Sequence, residues 1–220
     1  MRLHSKRLKA VLKELEDTSV LYDIGTDHAY LPIAAVNQMG IRGVIAVDNK
    51  LGPLSRAEKN VLEADLNEHI ILKHAEGMNA LTDSVDTVTA TGLGGKTIYE
   101  TIKHSDLKNV KTFIFQPQDG YEKVRALCDV RRLKIIRESF VVERGILYPI
   151  IVMSEGSMTL SERERYYGPL LIKERNPVYL DYLIKEYAHL LVTIEKVPGR
   201  EKIPLIAKKS LLEEILYEWK

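Results

Sequence analysis

Val20-Leu21-Tyr22-Asp23-Ile24-Gly25-Thr26-Asp27-His28-Ala29-Tyr30-Leu31-Pro32 decides how this chain folds. Val20 to Tyr22 read as a buried strand. Asp23 to His28 read as the turn that leaves it, and Ala29 onward as a helix. An acid at the strand's end and a glycine two residues later suit a turn whose backbone a ligand approaches closely. The following helix presents free N–H groups to the same crevice. This is not the Gly-x-Gly-x-x-Gly dinucleotide fingerprint: Asp27 stands where the second glycine would be, and its carboxylate would repel a pyrophosphate. A ligand with a positive charge and free hydroxyls fits the stretch; an ordinary polar strand-to-helix turn fits it equally well.

Downstream, the pattern repeats. Gly43-Val44-Ile45-Ala46-Val47-Asp48 is a second strand ending in an acid, at about the spacing where an acid meets ribose hydroxyls in doubly wound nucleotide sites. Asn49 to Gly52 make a turn, and Pro53 opens a helix reaching Leu66. Ile70 to His74 form a third strand, and Glu76-Gly77-Met78 another acid-glycine exit. The fourth strand, Val85 to Ala90, runs into Thr91-Gly92-Leu93-Gly94-Gly95 and a helix from Lys96 to His104. Those glycines admit either close approach of a planar substrate or a tight turn with close helix packing. Their place at the carboxyl edge of the sheet, with the other exits, favours the substrate. Lys111 to Phe115 form a fifth strand, Gln116-Pro117-Gln118-Asp119-Gly120 its exit, and Tyr121 to Val130 a helix. Leu133 to Val142 and Ile146 to Ser154 then flank Glu143-Arg144-Gly145, a hairpin-sized loop. A parallel α/β sheet closed by an antiparallel hairpin fits a class I methyltransferase using S-adenosylmethionine (SAM) better than it fits a dehydrogenase.

The 220 residues allow one α/β domain and a smaller appendage, divided here as 1–158 and 159–220. The chain is 45% hydrophobic and 29% charged with a net charge of +1, so no strong global field argues for or against nucleic acid. One cysteine, Cys128, excludes an internal disulfide and a cysteine zinc cluster; no metal is expected. No apolar run approaches the ~20 residues of a membrane span, and Met1 to Lys13 lack the apolar core of a signal peptide. The expectation is a cytoplasmic protein. Arg2 to Leu15 read as a basic amphipathic helix with Leu8, Val11, Leu12 and Leu15 on one face. Its cations, Arg2, Lys6 and Arg7 first, either face solvent or meet phosphates beside the site. Beyond Glu155, Tyr179, Leu183, Tyr187, Leu190, Ile194 and Val197 form one stripe of a long helix. Pro198-Gly199 breaks it, and Leu205, Leu212, Ile215, Leu216 and Trp219 supply a second stripe. The helical hairpin serves packing or dimerisation at least as well as an RNA grip.

These motifs together resemble the bacterial tRNA (adenine-22-N1)-methyltransferases of the TrmK type. The resemblance rests on Ser5-Lys6-Arg7-Leu8, Asp23 to Pro32, Gly52-Pro53, Gly92-Leu93-Gly94-Gly95, Gln116-Pro117, Tyr167-Gly168-Pro169 and the helical hairpin, and so runs through nearly the whole chain. Two positions depart from the pattern: Asp48 replaces the usual glutamate, and Gln118 falls where asparagine is expected. The resemblance implies methyl transfer from SAM to N1 of an adenine in the D-arm region of tRNA. Beside it, tRNA is the expected partner, a monomer is the expected state and no protein partner is predicted. Asp23, Gly25, Asp27, His28, Asp48, Asn49, Glu76, Gly77, Met78 and Gly92 are then expected to hold SAM. Tyr30 would stack on the flipped base, with Gly94 and Gln116 along its edge. Asp27 either contacts SAM, the favoured role, or stabilises the cationic product. A small-molecule methyltransferase and a non-catalytic RNA-binding protein of the same fold are the alternatives.

Overall fold

The computed structural model describes residues 3–81, 85–107 and 110–219, so Arg2 lies outside the described residues. The chain falls into two compact units, Met1–Met158 and Thr159–Lys220.

In the first unit the strands are β1 (Val20–Ile24), β2 (Gly43–Asp48), β3 (Ile70–His74), β4 (Thr87–Thr91), β5 (Thr112–Gln116), β6 (Leu133–Glu143) and β7 (Ile146–Glu155). The helices are α1 (Lys6–Lys13), α2 (Tyr30–Met39), α3 (Leu51–Glu63), α4 (Gly95–Lys103), α5 (Tyr121–Arg125) and α6 (Leu127–Arg131). The strands form one sheet in the order β3-β2-β1-β4-β5-β7-β6. β1 to β5 are parallel, and β7 is antiparallel to both β5 and β6. β1 pairs with β2 on one side and β4 on the other, which makes the β1/β4 boundary the switch point where such sheets open a crevice. Two reversals make β6 run the same way as β5, so Glu143 at its end returns to the edge that carries Asp23, Asp48 and Gln116.

Strand alternation divides the core. Leu21, Val44, Ala46, Ile114, Ile150 and Val152 meet α1, α2 and α3 in one apolar cluster. The alternate positions, Tyr22, Ile45, Phe113 and Phe115, are buried on the opposite face. α1 joins through Val11 and Leu12, with Leu15 just past its end, continuing the stripe the sequence shows.

Several boundaries differ from the sequence reading, each for a local reason. α1 begins at Lys6, because Ser5 caps it by accepting from the Leu8 N–H. α2 begins at Tyr30, because Ala29 takes the left-handed conformation (φ 55°). α3 starts two residues before Pro53, which sits in the first turn where its missing N–H costs nothing. β5 extends through Gln116, whose neighbour across the ladder is Thr91 at the end of β4. The single helix read from Tyr121 to Val130 is two, joined at Ala126, where the Asp129 N–H reaches back only three residues to the Ala126 carbonyl. The hairpin turn has two residues, Arg144 and Gly145, both at positive φ, the handedness that matches strand twist.

The second unit is helical: α7 (Glu162–Tyr167), α8 (Pro169–Glu174), α9 (Pro177–Lys196) and α10 (Lys202–Glu218), the last preceded by a 3-10 turn at Gly199–Glu201. α7 and α8 do not show in the apolar pattern; each has six residues, too short to display a stripe. A capping box between Ser161 and Glu164 starts α7. The expected seam is present: Tyr179, Leu183 and Leu190 of α9 and Leu212 and Ile215 of α10 are buried. Tyr179 donates its hydroxyl to the Tyr167 carbonyl at 2.6 Å, tying α9 to the end of α7. Among the described residues no helix is long and apolar enough to cross a membrane.

Candidate active site

A crevice of about 620 Å³ opens at the carboxyl ends of β1, β2 and β4. Its floor is the β1 exit. Asp23, next to last in β1, has its side chain buried and accepts a 2.7 Å hydrogen bond from the Thr89 hydroxyl of β4. Burial pushes its pKa up to about 6; the Thr89 and Thr26 hydroxyls oppose the rise and the Asp48 carboxylate adds to it. A buried carboxylate held ready to ionise is the group a cationic ligand would exploit. Gly25 follows at φ 72°, and a Cβ there would stand 3.0 Å from the Leu93 side chain. The glycine therefore lets the β1 and β4 exits close against each other.

Asp48 is the second anchor. Its two oxygens accept separate backbone hydrogen bonds, from the Lys50 N–H at 3.0 Å and the Asp27 N–H at 3.2 Å. The carboxylate is thereby fixed in the crevice, with acceptor capacity left for a pair of hydroxyls. Asn49 lines the crevice too, and its carbonyl lies 3.1 Å from His74 Nε2.

Asp27 sits in the left-handed region at φ 44°, followed by Ala29 in the same region, a tight backbone held at a cost of about 1–3 kcal/mol per residue. Its half-exposed carboxylate pairs with Arg56 of α3 at 2.6 Å. His28 lies 3.7 Å from the other oxygen and stacks on Tyr30, with ring centroids 5.0 Å apart and planes 6° from parallel. The His28 carbonyl is held by Asn60. Tyr30, 40% exposed, presents the open end of this stack.

Thr91, Gly92, Leu93, Gln116 and Gln118 line the crevice along the β4 and β5 exits. Gly92 adopts φ 72° and donates its N–H to the Gln116 carbonyl, while Gln116 itself is buried and donates to the Pro117 carbonyl. Gly94 does not belong to this lining. It caps α4, and a Cβ there would meet Asp119 at 3.2 Å. Gly95 is the glycine that packing demands: a Cβ would stand 2.1 Å from the Gly120 carbonyl oxygen. Glu76, Gly77 and Met78 line a separate cavity of about 710 Å³ against α4. Gly77 packs on Thr101, and the Tyr22 hydroxyl from β1 donates to the Gly77 carbonyl. Asp23, Asp27 and Asp48 meet in the smaller crevice, at the switch point.

Ser5, Arg7 and Leu8 form the remaining wall. Arg7 is already engaged: its Nε donates to Glu143 at 2.9 Å and its guanidinium lies 4.6 Å over the Tyr148 ring. Lys6 spends its backbone N–H on the same carboxylate and leaves its side chain exposed. Burial alone would raise the Glu143 pKa, but the Lys6 N–H, the Arg7 guanidinium and the Ser5 hydroxyl together hold it below the usual carboxylate range. Sequence reasoning missed Arg56, Glu143 and Tyr148. Only the last two left a signal: strand counting places both ends of the hairpin turn at the site's edge.

The model of the tRNA (adenine(22)-N(1))-methyltransferase family TrmK matches residues 21–217. A Bacillus subtilis tRNA (adenine(22)-N(1))-methyltransferase is 28% identical over 96% of this chain and 96% of its own length. A Streptococcus pneumoniae putative tRNA (m1A22) methyltransferase solved in complex with S-adenosyl-L-methionine superposes with a TM-score of 0.88 at 33% identity, covering 97% of this chain and all of that one. TrmK of M. capricolum, solved with S-adenosylhomocysteine, gives 0.87 at 26% identity over the full length of both chains.

Proposed function

This chain belongs to the tRNA (adenine(22)-N(1))-methyltransferase family, a SAM-dependent enzyme family, and from that premise we propose how its crevice delivers a methyl group to N1 of adenine 22. The observation that carries the reading is the convergence of buried Asp23, backbone-clamped Asp48 and positive-φ Gly25 in one crevice at the switch point. That donor set fits SAM: Asp23 would hold the cationic methionine end and Asp48 the ribose hydroxyls, with Gly25 giving the cofactor room against the turn. Bound there, SAM supplies an electrophilic sulfonium methyl.

Adenine N1 carries a lone pair, so the chain needs no covalent nucleophile and no base to activate one. The N1–methyl bond forms as the sulfur–methyl bond breaks, and the base ends with the positive charge that the sulfonium loses. The residues therefore orient the acceptor and exclude water, which is where most of the acceleration lies. The adenine must leave its stack at a cost of a few kcal/mol. Tyr30, continuing the His28 ring stack, offers the unstacked base a replacement face, and the Gly92 and Gln116 backbones border its edge. Asp27 belongs to the cofactor side, since its N–H steadies Asp48 and its carboxylate is paired with Arg56. Of the cations first expected to meet RNA phosphate, Arg7 is paired with Glu143 and Lys6 keeps an exposed side chain for that role. The enzyme acts as a cytoplasmic monomer, a state that sedimentation of the free protein checks.

Nucleoside mass spectrometry of an unmodified tRNA transcript after incubation with protein and SAM tests the function. The expected product is 1-methyladenosine, lost when position 22 of the transcript is guanosine. Methylation of metabolites alone, or SAM binding without transfer to any tRNA, would overturn the reading.

A further inference from the structure

We propose that Glu143 is a positioning residue for the RNA acceptor, acting through the Ser5-Lys6-Arg7 segment that walls the crevice. The proposal rests on the methyltransferase reading of that crevice. One carboxylate gathers three successive residues from near the start of the chain, more than 130 positions away. Its Oε1 accepts from the Lys6 N–H at 2.6 Å and lies 3.5 Å from the Ser5 hydroxyl, and its Oε2 accepts from Arg7 Nε at 2.9 Å. The same guanidinium lies over the Tyr148 ring, 4.6 Å from its centroid. Glu143 and Tyr148 flank the turn joining β6 and β7, so the hairpin grips the start of α1 with both of its arms.

The grip matters because of what it holds. Ser5, Arg7 and Leu8 line the crevice, and Tyr30, Gln116 and Gln118 line it with them. Without the carboxylate the first turn of α1 loses the anion at its N-terminus, where a helix favours one, and Arg7 loses its fixed direction. Farther along, α1 is anchored independently by Val11 and Leu12, and the chain just past it by Leu15, in the core. Loss of Glu143 should therefore free only the wall, not the helix. The cofactor anchors, Asp23 and Asp48, are held by Thr89 and by the Asp27 and Lys50 backbones, through hydrogen bonds in which Glu143 and Arg7 take no part. The clamp thus separates acceptor binding from cofactor binding.

The experiment is steady-state kinetics and SAM calorimetry on the full chain with Glu143→Ala, Glu143→Gln, Arg7→Ala and the Glu143→Ala/Arg7→Ala double variant. Expected for Glu143→Ala is a rise in KM for tRNA or a fall in kcat/KM of roughly tenfold or more, with the SAM Kd within about twofold of wild type. Glu143→Gln, which keeps an acceptor for the Lys6 N–H, should lie between. The double variant should cost little beyond either single one, because both remove the same contact. Unchanged tRNA kinetics in folded Glu143→Ala would reduce the clamp to a purely structural contact and overturn the proposal. So would a parallel loss of SAM affinity, or additive effects in the double variant. Failure of the methyltransferase reading itself would show differently, as wild-type protein that binds SAM and methylates no tRNA.

Discussion

Replacing Asp23 by asparagine should make the ligand-free protein more stable while crippling cofactor binding, and pH should reveal why. The side chain is buried, and burial raises its pKa from 3.8 to about 6. A group whose folded pKa lies above its unfolded one favours the folded state fully below the unfolded value, and that support is lost as pH rises through the folded value. At neutral pH the wild type therefore carries the cost of a buried charge. Two pKa units correspond to about 3 kcal/mol at 1.36 kcal/mol per unit. The substituted amide would still accept the Thr89 hydroxyl but would carry no charge. The stability gained by Asp23→Asn should be ~3 kcal/mol at pH 7.5 and shrink to ~0.5 kcal/mol at pH 4. For a domain of this size that is a rise in melting temperature of roughly 6–12 °C at the higher pH. Thermal melts of both proteins from pH 4 to 8 measure the difference directly. Calorimetry with SAM should show wild-type affinity growing as pH rises through 6, since the charged carboxylate meets a cation, and the variant binding ten- to hundredfold more weakly without that dependence. A stabilisation independent of pH, or none, would refute the argument that Asp23 is a buried charge kept for its ligand.

Asp48→Ala removes acceptors for the ribose hydroxyls worth ~1.5–3 kcal/mol, so SAM affinity by calorimetry should fall roughly ten- to hundredfold with the fold intact by circular dichroism. Gly95→Ala forces a Cβ to within 2.1 Å of the Gly120 carbonyl; it should destabilise the protein by about 1–3 kcal/mol or more in urea unfolding, and a neutral result would mean the β4 and β5 exits are not packed together. Lys6→Ala should weaken tRNA binding and flatten its salt dependence by about one phosphate contact while leaving SAM affinity alone; an unchanged slope would return Lys6 to solvent.

Much of the site was legible because its signals are local. An apolar run ending in an acid, at Asp23 and again at Asp48, fixes where strands stop and which residues reach a sheet edge. Alternation and helical stripes did the same for the core, from Leu21 to the seam of α9 and α10. These patterns are properties of backbone torsion and burial over a few residues, and the chain carries them wherever it sits. What only the tertiary structure decided are meetings between distant residues. Glycine composition alone could not say that Gly95, not Gly94, faces another backbone, because the partner loop arrives from β5. Glu76 to Met78 share the acid-glycine pattern yet line the other cavity, drawn there by Tyr22 and α4. Arg7 reads as a free cation until the strand order, with its two reversals, brings Glu143 back to the crevice from 136 positions away. A side chain's partner depends on strand order and register, and these are set by the whole core at once.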